Sequence, residues 1–141
     1  MREMKCRAFY KPLNHMLEAE QIESINFETK TLGVYMEMDG KGFHKLRMSD
    51  FEIMWFTGLK DKNGVEIYEG DIILCESSGL KHYEHRVVCY DTHQAKYKTV
   101  PPTSYHQNAG NGGWTGYELK YHNEVVGNIY DNPDLLGEVR E

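Results

Sequence analysis

Three histidines lie near enough in sequence to raise a metal site: His82, His85 and His93, of the seven in the chain. A structural zinc ion needs four N or S ligands converging on one point. Residues three apart on a strand point to opposite faces, and no cysteine stands at a matching spacing, so the spacing predicts scattered surface imidazoles and no bound metal. Carboxylates are plentiful. Glu66, Glu69, Asp71 and Asp131 flank turns, and a pair of them would suit general acid and base work if burial drove their pKa values apart. Nothing in their spacing selects such a pair. The chain also lacks a glycine-rich phosphate loop, a Gly-x-Ser-x-Gly elbow, a His-Glu-x-x-His and a Cys-x-x-Cys. The expectation is a protein that is not an enzyme, with no catalytic residues and no cofactor.

The more suggestive residues are aromatic: ten tyrosines, five phenylalanines and two tryptophans. Trp55 and Phe56 are expected in the core. Tyr97, Tyr105, Trp114, Tyr117 and Tyr121 lie in or beside a stretch without regular signal and offer an adhesive surface, or else pins that hold that stretch to the fold. Lys81, His82, His85, Arg86, Lys96, Lys98 and Lys120 make up the one region where basic and aromatic residues are expected to interleave, and its core, Lys81, Arg86, Lys96 and Lys98, is a candidate basic patch for single-stranded nucleic acid. The net charge of −6, from 22 acidic and 16 basic residues, argues against nucleic acid as the main partner.

With 141 residues, 40% hydrophobic and 27% charged, the chain has the composition of one ordinary globular domain. Cys6, Cys75 and Cys89 are odd in number and set among apolar neighbours, which predicts small buried hydrophobes in a reducing compartment. The longest apolar runs are far below the roughly 20 residues of a membrane span. The first seven residues alternate charge with apolar groups and carry no signal-peptide core, so the expected location is the cytoplasm.

The elements that must position these residues read as short strands. Residues 4–10 alternate with period two, and Lys11-Pro12-Leu13-Asn14 turns the chain toward a returning strand at 15–17. A short helix over 18–24 competes with a strand over 22–27. Residues 31–38 are β-branched and aromatic, with Gly33 marking a bulge or a close backbone approach, and 39–42 form a turn. Asn63-Gly64 predicts a tight type I′ turn. Residues 72–75 and 86–90 read as an antiparallel pair. Residues 93–116, with Pro101-Pro102 and a run of Asn and Gly from 108 to 113, predict a long mobile loop, either a site of partner contacts or an insertion without consequence. Strands over 117–121 and 124–130 follow. Asn132, Pro133 and Asp134 have the N-cap, first-position and dipole signals of one or two closing helical turns.

Three segments carry a family resemblance. Thr57-Gly58-Leu59-Lys60-Asp61-Lys62-Asn63-Gly64 runs on to Ile67-Tyr68-Glu69-Gly70-Asp71-Ile72. Gly127-Asn128-Ile129-Tyr130-Asp131-Asn132-Pro133-Asp134-Leu135-Leu136 closes the chain, and Met1-Arg2-Glu3-Met4-Lys5-Cys6-Arg7-Ala8-Phe9 opens it. In this order they resemble the YopX family of bacteriophage and prophage proteins over nearly the whole chain, least in residues 18–48 and 93–116. The resemblance implies a small, mainly β protein encoded by phages and prophages, with no catalytic residues to carry over.

The expected fold is therefore mainly β: small barrel-like or strongly bent antiparallel sheets, SH3-like over residues 58–91, with a short C-terminal helix. One domain spans 1–141, with two lobes, about 1–50 and 51–137, left open. The expected function is a non-enzymatic interaction module that presents its 93–121 stretch to a bacterial or phage protein. A small-barrel nucleic-acid-associated protein is the alternative, and a homo-oligomer through edge strands stays open. No membrane partner is expected.

Overall fold

The alternation at the N-terminus produces β1 (Cys6–Tyr10), which returns through Lys11–Leu13 to β2 (His15–Leu17). Asn14 takes the left-handed conformation that this turn needs, at φ 51°. In the computed structural model, which describes residues 3–77, 82–108, 112–120 and 123–137, β1 is buried along its whole length, and β2 and β6 (Phe51–Lys60) pair with its two edges. Among the described residues the chain is mainly β, and it divides into two compact units, Met1–Phe56 and Thr57–Glu141. The boundary falls within β6.

In the first unit a capping box at Glu18 and Gln21 closes one 3-10 turn, Ala19–Gln21, and Ile22 is already extended. The competing helix over 18–24 is therefore replaced by β3 (Ile22–Asn26). β4 (Thr31–Met38) and β5 (Lys41–Arg47) complete a three-stranded antiparallel sheet in the order β3-β4-β5. Asp39 and Gly40 both have positive φ, 54° and 74°, and Met38 pairs with Lys41, which is the two-residue type I′ connection. Gly33 sits opposite a register shift in β3, where an added Cβ would meet Glu23 Oε2 at 2.6 Å and Ser24 Oγ at 2.7 Å. That is the close approach its sequence position suggested. Ala8, Leu17, Leu32, Val34 and Phe51 form this unit's core.

The second unit opens on the turn at Asn63-Gly64, and here the expectation of type I′ is wrong. Only Gly64 has positive φ, 82°, and the turn is organised by Asp61, whose carboxylate accepts from Asn63 N at 2.8 Å, Val65 N at 2.9 Å and Val125 N at 3.0 Å. An aspartate that satisfies the backbone N–H groups removes the need for a second left-handed residue. Nothing lies within 4 Å of a Cβ built at Gly64, so Gly64→Ala should cost only the left-handed strain. We expect a loss of about 1 kcal/mol in urea unfolding.

β7 (Glu66–Tyr68), β8 (Asp71–Ser77) and β9 (His82–Asp91) follow, β8 and β9 pairing antiparallel with Ile72 opposite Val87. The long loop expected over 93–116 is a misreading for 93–107, whereas 108 and 112–116 carry no regular element and 109–111 lie outside the described residues. Residues 93–116 contain a tight turn with Ala95 at φ 54°, then β10 (Lys96–Val100) paired with β9, then helix α1 (Pro102–Gln107). Pro101 and Pro102 start that helix, at the N-cap and first position, where a missing N–H is harmless.

β11 (Tyr117–Glu118) is shorter than expected, and β12 (Glu124–Asn128) carries a bulge between Val125 and Gly127. The sheet order is β11-β10-β9-β8-β12. The C-terminal helix is one 3-10 turn, Pro133–Leu136. Asn132 does not cap it; its Oδ1 reaches back to accept from Asn128 N at 3.2 Å. Two apolar clusters cover the two faces of the sheet, Ile72, Val87, Cys89 and Val100 on one and Ile67, Ile73, Cys75 and Val88 on the other.

Candidate functional site: an aromatic band held by a buried ion pair

Asp91, at the end of β9, is 2% exposed and accepts four hydrogen bonds. Its Oδ1 takes His93 N at 2.8 Å and Gln94 N at 2.9 Å, forming the turn into β10. Its Oδ2 takes Lys98 Nζ at 2.6 Å and Trp114 N at 3.0 Å. Lys98 Nζ in turn donates to Trp114 O at 2.8 Å, so both backbone polar groups of Trp114 are held by one ion pair. Lys98 and the backbone N–H groups of Trp114, Gln94 and His93 hold the Asp91 carboxyl well below the usual carboxylate range, against the opposing effect of burial. Beside this knot, Thr92 N and Oγ1 donate to Gly112 O at 2.8 and 3.0 Å.

The knot decides where the aromatics go. Trp114 stacks on Tyr105 of α1, centroids 5.5 Å apart and planes 12° apart, and both pack on the Ile72 cluster. They are pins. Tyr97 projects from the opposite face of β10, against the Ile73 cluster, with Tyr90 edge-on to it at 5.0 Å. Gly116 permits β11 to lie close on β10: a Cβ there would stand 2.6 Å from Thr99 O. The strand then leaves Tyr117 opposite Thr99, 57% exposed, with the Arg86 guanidinium carbon 4.0 Å from its ring centroid. Leu119 packs on the same Ile73 cluster.

Of the five predicted aromatics, the structure thus groups Tyr97 and Tyr117, adds Tyr90, and turns Tyr105 and Trp114 to the other face. Tyr121 lies outside the described residues. The predicted basic patch is not brought together. Arg86 is buried, bonded to Glu84 Oε1 at 2.5 Å, and Lys98 is buried on Asp91, while Lys96 is exposed and Lys81 lies outside the described residues. Asp91 was missed. Its only signal is an aspartate that ends a strand before a turn, with a lysine seven residues on.

Two of the other sequence candidates hold local turns. Asp71 accepts from Tyr68 N at 2.7 Å, and Asp131 from the Asn128 amide at 3.0 Å. Burial pushes the thiols of Cys6 and Cys89 up to about 11 and about 12, and raises Cys75 as well, so all three are neutral at pH 7. Among the described residues no three His, Cys, Asp or Glu side chains are grouped to hold a metal, and no helix is long and apolar enough to cross a membrane.

Two solved structures share the fold. One is protein EF1440 from Enterococcus faecalis, at 22% identity and a TM-score of 0.56, covering 96% of this chain and 99% of that one. The other is protein YopX from Bacillus subtilis, at 20% identity and a TM-score of 0.55, covering 99% and 100%. No curated protein matches the chain. The family model for the YopX protein matches residues 5–137, the span from β1 to the closing 3-10 turn, and the chain therefore belongs to the YopX family.

Proposed function

We propose that this YopX-family chain is a phage- or prophage-encoded, non-enzymatic protein-interaction module of the bacterial cytoplasm, and that it offers the Tyr90, Tyr97 and Tyr117 band to a partner protein. The observation that carries the reading is the Asp91 knot. It spends a buried ion pair on immobilising the strap that leads into Tyr117, and an aromatic held in place before binding loses little entropy on binding. Tyrosine suits such a role because it supplies a large apolar contact and one polar tip at small rotamer cost. Arg86 beneath the Tyr117 ring adds a second residue type enriched at interface centres.

The test is capture of the tagged full chain with its partners from host lysate, with and without nuclease, by wild type and by Tyr117→Ala. The expected result is a protein that survives nuclease and is lost with Tyr117→Ala. Capture that depends on Tyr117 but is lost on nuclease treatment would overturn the reading, as would a protein partner retained equally by both chains.

A further inference from the structure

The first unit carries a second surface, on the outward face of its three-stranded sheet. β4 and β5 pair with Tyr35 opposite Phe43, Gly33 opposite Lys45 and Thr31 opposite Arg47. Side chains alternate across a strand, so Leu32, Val34 and Met36 enter the core while Tyr35 turns outward with Phe43, Lys45 and Arg47, and an exposed Lys41 stands past a register shift at the hairpin end. Basic and aromatic residues therefore interleave here, and the expectation that residues 81–120 are the only such region is wrong. The period-two pattern Lys41, Phe43, Lys45, Arg47 was its signal.

The Tyr35 and Phe43 rings lie 5.2 Å apart, inclined at 55°, and stay 51% and 40% exposed. At one end of the sheet, Phe27, Lys30, Arg47 and Met48 line a mostly apolar groove of about 570 Å³. Lys30, Lys41 and Lys45 are in no ion pair among the described residues, whereas Arg47 bonds Asp50 at 3.3 Å. Acidic groups on or beside this face are Glu23, which reaches Gly33, Glu37, which reaches Gly42, and Asp50, which holds Arg47. Part of the pattern has a plain structural role. Phe43 covers Gly33, its Cζ 3.2 Å from where a Cβ would stand, and lysines on an edge strand deter strand pairing. Neither role calls for an exposed Tyr35 beside Phe43, nor for a groove floored by Phe27 and Met48.

We infer that this face binds single-stranded nucleic acid. Bases stack on Tyr35 and Phe43 and enter the groove at Phe27 and Met48, while Lys30, Lys41, Lys45 and Arg47 meet phosphates, the combination of stacking platform and cations that holds single strands without sequence preference. An acidic peptide would satisfy the lysines but leave the ring faces unused. The inference is independent of the aromatic band of the second unit.

The test is fluorescence anisotropy of labelled dT15 and U15 with the full chain at about 50 mM salt. Saturable, salt-sensitive binding is expected, weakened about tenfold or more by Tyr35→Ala with Phe43→Ala. Lys41→Glu with Lys45→Glu should abolish it, and Tyr117→Ala should leave it unchanged. Phe43→Leu keeps Gly33 covered and removes the π face, so it should weaken binding even if the double alanine chain fails to fold. No saturation by about 100 µM would overturn the inference. So would unchanged binding by Phe43→Leu, or polyglutamate competing as well as oligonucleotide at equal charge.

Discussion

Replacing Asp91 by asparagine should lower the melting temperature of the second unit by on the order of 10 °C, because it leaves the Lys98 cation buried without a counter-charge. The amide also presents N–H groups where Oδ2 now accepts from Lys98 Nζ and Trp114 N, so donors face donors. Trp114 fluorescence in a Trp55→Phe background reads this transition apart from the first unit. Acid should reproduce part of the effect. The Asp91 carboxyl titrates lower in the folded chain than in the unfolded one, so its stabilisation is complete above the unfolded value of about 3.9 and is lost as pH falls toward the folded value. Asp61 adds to the same slope: burial opposes its charge, but the N–H groups of Val125, Val65 and Asn63 prevail and lower it. The wild-type melting temperature should therefore drop steeply below about pH 4, and Asp91→Asn should flatten that drop without removing it. An Asp91→Asn chain as stable as wild type, with the same acid profile, would remove the knot from the account.

Ile73→Ala should cost about 3 kcal/mol in urea unfolding, from lost apolar transfer and the cavity left behind. Ile73 is fully buried between Ile67, Cys75 and Val88, on the cluster over which Tyr97 and Leu119 pack. Because its neighbours belong to several strands, the gap cannot close by one side chain shifting. Partner capture should fall with stability here, whereas Tyr117→Ala should reduce capture with little change in the urea midpoint, since that ring is mostly exposed. That contrast separates support of the band from contact by it.

The strands were legible where period two or β-branched runs met turn residues, as in β1, β4, β8 and β9, and Gly33 announced its close approach. The reading failed where a tertiary partner decides. Lys98 looks like a surface cation, and only Asp91, across the hairpin, makes its burial affordable. β10 was absorbed into the loop expected over 93–116, and Pro101-Pro102 read as part of that loop where it starts α1. The same dependence hid the division of the aromatics, since sequence proximity groups Tyr97, Tyr105 and Trp114 while the two faces of the sheet separate them. At Asn63-Gly64 the turn residues were right and the geometry wrong, because the Asp61 carboxylate does what a second left-handed residue would have done.

The central claim is that a preset tyrosine band in the second unit binds a protein. Its most direct test is the affinity of the captured partner for wild type and for Tyr117→Ala, measured by titration calorimetry. A tenfold or greater loss, on the order of 1.4 kcal/mol or more, is the predicted result. Equal affinity for the two chains, both folded, would contradict it.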